Sequence, residues 1–294
     1  MKPIGVLADS HSSVAQSEAA QLGIRVLPAP FYIEEECFYE DVTLSREELY
    51  RKLDEGVNVN TSQSSPADVM RFWDEALEEF ETVLYFPISS GLSGSCATHM
   101  MLAQEEPYAG RVFVVDNGRV GTPQYRAILD ALEMIEEGYT AAEIKGALEK
   151  ARSRMVIYLG VETLERLKKG GRISAATASI GTLLHIKPVL KLGVETLDAY
   201  KKCRGFARAR RTMIEAMKHD LETTFKEELA QGELYLLAAT SADEEKTASW
   251  IAEIQAAFPG MDVFCTPLSM GVCCHTGTGA LGIGCSCRPE RPKR

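Results

Sequence analysis

A cluster of small hydroxyl residues and glycines lies at positions 88–95, where the sequence is Ile-Ser-Ser-Gly-Leu-Ser-Gly-Ser. An apolar run at 82–87, typical of a buried strand, precedes it, and a predicted helix at 96–104 follows it. Backbone N–H groups at a helix N-terminus can bind an anion, and the serine hydroxyls add further donors. The pattern therefore indicates a site for an anion or an oxygen ligand. The same residues would also suit a simple turn and helix cap, and both interpretations stay open.

Two familiar motifs do not fit this cluster. Ser93 is followed directly by Gly94, so the spacing is not the G-x-S-x-G elbow that exposes a nucleophilic serine. The cluster also lacks the G-x-x-x-x-G-K-[ST] pattern of a phosphate-binding loop.

The overall composition is that of an ordinary globular protein with an acidic balance. The 294 residues are enough for two domains, 45% of them are hydrophobic, and the formal net charge is −10. This charge argues against a general binder of nucleic acid or of anionic membranes. The sequence has no apolar run of transmembrane length, and no secretory leader is recognisable at residues 1–3, so we expect a cytoplasmic protein.

The first half of the chain alternates predicted strands with predicted helices. Strands are predicted at 4–8, 26–33, 82–87 and 111–116. Helices are predicted after the capping boxes that begin at Ser45 and Thr140, after the N-cap Ser65, and from Thr122. Polar loops follow the strands at their C-terminal ends. This order predicts a parallel, doubly wound α/β domain over residues 1–154.

The second half predicts an α+β domain over residues 155–294. Its predicted strands lie at 155–161, 234–239 and 262–265, with a two-stranded ribbon at 189–200. Its predicted helices lie at 163–169, 174–186 and 205–228, and a further helix is capped at 241–244 and runs to 258.

Several segments taken together resemble the DegV family of bacterial fatty-acid-binding proteins. They occur in the order of the family and span almost the whole chain, so several motifs are in register. The matching segments are Asp9-Ser10, Thr61-Ser62-Gln63-Ser64-Ser65-Pro66, residues 88–94, residues 164–173, Ile186-Lys187-Pro188 and residues 275–282.

The resemblance implies two α/β domains, the second with a mixed sheet, and a long-chain fatty acid held in a buried tunnel between them. It also implies a lipid-binding subunit that has no catalytic activity and no cofactor of its own. A separate ATP-dependent kinase subunit would convert the presented carboxylate into acyl phosphate for phospholipid synthesis. The residues that match the carboxylate-binding motifs are Thr61, Ser62, Ser93, Gly94 and His275, and those matched to the kinase or the phosphate are Arg172, Lys202 and Arg204.

The sequence departs from the family pattern at several motif positions. Ser64 stands where a proline is usual, and Thr278 stands where a proline is usual in the histidine motif. The first loop reads Asp9-Ser10-His11 instead of Asp-Ser-Thr. These differences affect the expected loop shape and the acyl chain that fits more than the class of protein.

A serine hydrolase is an alternative on the residues alone. It would use Ser93 as the nucleophile and His275 as the base, with Asp9 or Asp116 orienting the imidazole. For both aspartates, however, helix capping or loop bracing is the expected role.

A metal site formed by cysteine and histidine is the second alternative. Five of the eight cysteines lie between residues 265 and 287, with His275 among them. Adjacent cysteines at 273–274 and a Cys-x-Cys at 285–287 match the ligand spacing of structural zinc sites poorly. We instead expect these cysteines to be small, buried free thiols, because free thiols are the default in a reducing compartment.

A basic run beside the predicted ribbon contains no acidic residue, which is unusual in an acidic protein. It consists of Lys201, Lys202, Arg204, Arg208, Arg210 and Arg211. A solvated helix face and a surface for an acidic partner or a phosphate both explain it. Nucleic acid is not expected, because no aromatic stacking pattern accompanies the charges.

Overall fold

The computed structural model describes residues 2–178, 186–193 and 197–293, and within them the strands form three sheets. The strands are β1 (Lys2–Asp9), β2 (Arg25–Leu27), β3 (Pro30–Ile33), β4 (Glu36–Tyr39), β5 (Val59–Thr61), β6 (Phe80–Phe86), β7 (Val112–Val114), β8 (Met155–Gly160), β9 (Ile186–Leu192), β10 (Leu197–Arg204), β11 (Leu234–Thr240), β12 (Val263–Pro267) and β13 (Leu281–Cys287). The helices are α1 (Gln16–Leu22), α2 (Arg46–Asp54), α3 (Pro66–Leu77), α4 (Ser95–Leu102), α5 (Thr122–Glu136), α6 (Ala141–Lys150), α7 (Glu165–Lys169), α8 (Ala175–Ala178), α9 (Phe206–Glu222), α10 (Lys226–Gln231), α11 (Glu244–Ala257) and α12 (Met270–Thr276).

A parallel sheet with helices on both faces forms the centre of the N-terminal half. Its strand order is β2-β1-β6-β7, and every neighbouring pair is parallel. Successive strand residues point to opposite faces, so Val6 packs with Ile128 of α5, while Leu7 packs with Trp73 of α3. The predicted doubly wound arrangement is confirmed.

The predicted helix starts are also confirmed, because they depend on local hydrogen bonds. Ser45 and Glu48 form a capping box at α2, and Thr140 and Glu143 form one at α6. At α3 the Ser65 side chain accepts a hydrogen bond from the N–H of Asp68, and Pro66 occupies the first turn.

The prediction of a single strand at 26–33 is wrong. The chain forms β2 in the parallel sheet and then β3, which pairs with β4 and β5 in a separate antiparallel sheet. Pro28 and Pro30 have no N–H to continue the ladder, and the N–H of Ala29 donates instead to Ser10 Oγ. This break places β5, and with it Thr61, in the antiparallel sheet, where Thr61 pairs with Phe31.

A six-stranded mixed sheet forms the centre of the C-terminal half. Its order is β10-β9-β8-β13-β11-β12, and only β11 and β12 run parallel. The sequence prediction missed β13, which pairs antiparallel with both β8 and β11. It also missed α12, β4 and β5.

Three element bounds in this half differ from the prediction. The ribbon extends over β9 and β10, so Lys202 and Arg204 lie within a strand and not after it. The predicted helix at 205–228 is divided into α9 and α10, because the chain turns to bury Phe225. The predicted helix at 174–186 contains α8, residues 179–185 lie outside the described residues, and Ile186 begins β9.

The small antiparallel sheet and the mixed sheet meet along an apolar cluster to which both halves of the chain contribute. Phe31 and Leu49 from the first half pack in it with Leu167 and Met270 from the second. All strands of the parallel sheet precede residue 154 and all strands of the mixed sheet follow it. The domain boundary itself stays a prediction. Within the ranges described, no helix is both long and apolar enough to cross a membrane.

Candidate ligand cavity and its polar end

A cavity of about 270 Å³ lies between the loops that follow the strands of the parallel sheet and one face of the mixed sheet. All five residues predicted to bind a carboxylate line it, together with Arg172. The rest of its wall is mostly apolar, and a large part of it comes from β8, β11 and β13 of the mixed sheet. The structure thus brings together residues that are up to 214 positions apart in the sequence.

The Thr61–His275 pair lies at the polar end of the cavity. Thr61 ends β5, His275 lies in the last turn of α12, and Thr61 Oγ1 is 2.8 Å from His275 Nε2. Burial, together with the charges of Arg172 and His11, lowers the pKa of His275 to about 4. The imidazole is therefore neutral at pH 7 and can either donate or accept one hydrogen bond at Nε2.

Gly170 makes room for the His275 ring. A Cβ at this position would overlap Nδ1 of the imidazole. The glycine therefore allows α7 to lie directly against the ring and to limit its positions.

The loop before α4 adds the Ser93 and Ser95 hydroxyls to the cavity wall. Ser93 Oγ lies 2.8 Å from Ser95 Oγ and accepts a hydrogen bond from the N–H of Ser95. Gly94 is the N-cap residue of α4, and a Cβ added there would meet open space. The loop is thus shaped by its own serines and leaves room for a ligand. Ser62 lies at an exposed part of the cavity wall.

Asp9 and Asp116 brace the loops, as expected from the sequence. Asp9 accepts hydrogen bonds from the N–H groups of His11 and Ile88 at 3.0 and 2.7 Å. Asp116 forms an ion pair with Arg152 and accepts from the N–H of Gly118. These bonds hold the ends of β1, β6 and β7 together beside the cavity.

Arg172 lies where the first cavity meets a second, polar cavity of about 510 Å³. Four of the described residues line both spaces: Thr61, Arg172, His275 and Thr276. Arg172 donates to the carbonyl of Gly170, and no carboxylate in the described chain forms an ion pair with it. Lys202 and Arg204, in contrast, are exposed on β10 at the sheet edge and line neither cavity.

The apolar wall is formed by one face of the mixed sheet. Ile157, Leu159, Leu237 and Ala239 alternate along β8 and β11 with residues that pack against α9 and α11 on the other face. On β13 the cavity face carries Gly282 and Gly284. Because these two residues have no side chains, the cavity extends across the middle of the sheet.

Sequence reasoning missed two groups beside the polar end, His11 and Glu40. His11 lines the cavity, and its only sequence signal was the departure from Asp-Ser-Thr in the first loop. Glu40 is buried, and its Oε1 accepts from the N–H of Met270 at 2.8 Å and from Arg46 at 3.2 Å. Glu40 therefore holds the start of α12, the helix that carries His275.

We expect Glu40→Gln to reduce the loss of stability that the protein shows as the pH rises from 5 to 8. Burial raises the Glu40 pKa from 4.5 to about 7, although Met270 and Arg46 oppose the shift. A folded-state pKa above the unfolded value stabilises the fold at low pH, and this stability is lost as the pH rises through about 7. Glutamine keeps the accepting oxygen but does not ionise. Urea unfolding at pH 5 and pH 8 measures the effect.

The control for this variant is Glu47→Gln, which changes an exposed carboxylate of α2. The free energy of unfolding of this control should depend on pH as it does in the unchanged protein. If the free energy of unfolding of the Glu40→Gln protein also depends on pH in that way, Glu40 does not cause the loss of stability.

The geometry favours neither alternative function. Within the described residues, Ser93 is hydrogen-bonded to Ser95, and His275 to Thr61, with no carboxylate hydrogen-bonded to the imidazole. All eight cysteines are free, and four of the five in the C-terminal cluster are buried. No group of three or more His, Cys, Asp or Glu residues in the described ranges is arranged to hold a metal ion.

Comparison with known sequences identifies one family. The sequence model of the family described as "Uncharacterised protein, DegV family" matches residues 3–287 of this chain. A DegV domain-containing protein of Deinococcus radiodurans is 29% identical over 281 residues, which are 95% of this chain and 97% of the relative. Protein DegV of Bacillus subtilis is 26% identical over 97% of this chain and 99% of its own.

Solved structures agree with the sequence comparison. A DegV family protein from Thermus thermophilus, described as binding fatty acid, has 32% identity and a TM-score of 0.84, covering 97% of this chain and 99% of its own. A stearic-acid-binding protein from Eubacterium ventriosum has a TM-score of 0.86 over 98% of this chain and 99% of its own. Its identity is 19%, so this likeness concerns the fold alone.

Proposed function

Because the chain belongs to the DegV family, we propose that it binds a long-chain fatty acid and presents the carboxylate to a separate ATP-dependent kinase subunit. The observation that carries the proposal is the apolar cavity that ends at the Thr61–His275 pair. The Thermus thermophilus relative, described as binding fatty acid, supports the same ligand class. The kinase would form acyl phosphate for phospholipid synthesis in the cytoplasm, and the chain would need no cofactor of its own.

In this proposal the tail and the head of the ligand have different tasks. At about 0.8 kcal/mol per buried methylene, about fifteen methylenes contribute roughly 12 kcal/mol before ordering costs. A hydrogen bond to a charged head contributes only about 1.5 to 3 kcal/mol. The tail therefore supplies affinity, and Thr61, Ser62, Ser93, Gly94 and His275 orient the head.

The second cavity supports the presentation step. Thr61 and His275 line both cavities, so a carboxylate bound beside this pair is reachable from the polar side. Arg172 stands at the same junction, where its guanidinium would favour a phosphoryl group. Lys202 and Arg204 lie away from this junction, so their proposed role is contact with the surface of the kinase.

The direct test of ligand class is mass spectrometry of the lipid that co-purifies with the protein after organic extraction. We expect about one long-chain fatty acid per chain, because a ligand with so much buried hydrocarbon dissociates slowly. Extraction of a different lipid class, or failure of the delipidated protein to bind added fatty acid, would contradict the proposal.

We expect Ser93→Ala to weaken fatty acid binding by about tenfold or less but to lower the rate of phosphorylation by the kinase more severely. The variant removes one protein hydroxyl that would contact the carboxylate head group, and it leaves the apolar wall intact. It therefore affects the orientation of the ligand more than its affinity. Equilibrium binding and a coupled kinase assay measure the two effects.

Ser90→Ala is the matched control, because Ser90 belongs to the same loop but lies outside the cavity and bonds to Arg152. Complete loss of fatty acid from a folded Ser93→Ala protein would show that the division between tail and head is wrong.

A further inference from the structure

His11 lines the ligand cavity. It lies in a short turn of 3-10 helix, Ser10–Ser12, directly after β1, and its side chain is 12% exposed. The ring packs on α12, where a Cβ at Gly271 would lie only 3.0 Å from Nε2. The backbone carbonyl of His11 accepts from the N–H of Gly121 at 2.7 Å. These contacts fix the ring at the cavity wall.

The two nitrogens of this ring have different surroundings. Nδ1 lies 3.4 Å from Asp9 Oδ1, within ion-pair distance, although it makes no well-aligned hydrogen bond. Among the described residues, no hydrogen bond reaches Nε2, which lies against Gly271, another residue of the cavity wall. Asp9 therefore favours a proton on Nδ1, and Nε2 remains for a ligand.

In the described part of the chain, four charged or titratable groups face His11 from the elements around it. They are Asp9 at the end of β1, Glu40 after β4, Arg172 after α7, and His275 on α12. Burial lowers the His11 pKa, but the charge of Asp9 and its contact with the ring outweigh burial and leave the pKa raised. The pKa of His275 shifts the other way. Of the two imidazoles, His11 and His275, His11 is thus the one that is suited to carry a positive charge.

We propose that His11 is the charged anchor for the carboxylate of the ligand, with Nε2–H donating to one carboxylate oxygen while the Thr61 hydroxyl, which is paired with His275, provides a neutral hydrogen bond. The inference rests on the proposed function and deepens it. It predicts that the site selects ionised acids over neutral lipids of the same chain length. Hydrogen bonds between two charged groups are stronger than neutral ones, which is the physical basis of this selection.

The test compares a 16-carbon fatty acid with the corresponding 16-carbon alcohol, which has the same tail and a neutral head. Affinities are measured below the aggregation concentration from pH 6.5 to pH 9.5 for the unchanged protein, His11→Gln and His11→Thr. We expect the unchanged protein to prefer the acid by about 10- to 100-fold at the lower pH. The preference should decrease as the pH rises through the His11 pKa.

His11→Gln keeps a neutral donor at the cavity wall, so it should bind the alcohol normally. We expect its preference for the acid to fall by about tenfold or more and to become independent of pH in this window. The matched control is Glu40→Gln, because Glu40 also faces His11 and its pKa is about 7. In this control the preference for the acid should still decrease as the pH rises.

Three results would overturn the assignment of His11 while leaving fatty acid binding intact. They are an unchanged acid preference in folded His11→Gln or His11→Thr, a flat pH profile in the unchanged protein, and a slope that disappears in Glu40→Gln but persists in His11→Gln. If neither His11 variant folds, the pH profiles of the unchanged protein and of Glu40→Gln decide the question. Binding of neither lipid by the unchanged protein would instead contradict the proposed function.

Discussion

Gly282→Leu is expected to lower the affinity for a 16-carbon fatty acid by roughly 100-fold. Gly282 lies on β13 with its α-carbon at the cavity wall, and a Cβ there would sit 3.5 Å from Leu159 Cδ1, an ordinary contact. The sheet therefore tolerates the side chain, whose remaining carbons extend into the space of the tail. Displacing about four methylenes at about 0.8 kcal/mol each costs about 3 kcal/mol.

Two controls separate occlusion from unfolding. Gly282→Ala adds one carbon and should lower the affinity only by about fourfold. Gly146→Leu adds the same side chain at an exposed position of α6 and should leave binding unchanged. Isothermal titration with the delipidated proteins gives the affinities. If folded Gly282→Leu protein binds as tightly as the unchanged protein, the tail does not pass over β13.

Gly284→Ala is expected to destabilise the protein by about 3 kcal/mol. A Cβ at this position would lie 2.7 Å from the carbonyl oxygen of Val156 and 3.1 Å from Ile157 Cγ1. The first contact is with backbone, so it is relieved only by displacing β8 from β13. Overpacking of this kind typically costs about 1 to 3 kcal/mol, and a contact with backbone belongs at the upper end. Urea unfolding measures the change.

The matched control for this effect lies two residues away on the same face of the same strand. Gly282→Ala removes the same conformational freedom of a glycine, but the added Cβ has no atom closer than 3.5 Å. Its stability should stay within about 1 kcal/mol of the unchanged protein. Equal stability of the two alanine variants would contradict the close approach of β8 to β13 at Gly284.

The sequence predicted the elements that depend on neighbouring residues. Ser45 with Glu48 and Thr140 with Glu143 specify helix starts through bonds that span three residues, and both were located correctly. The parallel sheet followed from the order of apolar runs and polar loops, which is also a property of short segments.

The strand β13 was missed because its sequence, Leu-Gly-Ile-Gly-Cys-Ser-Cys, carries little strand propensity. Its stability comes from pairing on both sides with β8 and β11, which are distant in the sequence. Glycines at 282 and 284 would weaken an isolated strand, but here they give a wall without side chains next to the cavity.

The candidate site was predictable only through the family resemblance. Thr61 and His275 are separated by 214 residues, and no local pattern indicates that they meet at 2.8 Å. His11 stood out only as a departure from the family motif, because its environment depends on Asp9, Gly271 and Glu40 together. Such convergence is a property of tertiary packing and not of sequence spacing.

The most direct measurement for the central claim is a crystal structure of the protein with a bound 16-carbon fatty acid. We predict that the carboxylate lies within hydrogen-bonding distance of Thr61 Oγ1 and Ser93 Oγ, and that the hydrocarbon crosses the mixed sheet over Gly282 and Gly284. A carboxylate bound elsewhere, or a chain lying in the opposite direction with its methyl end at Thr61, would contradict the account.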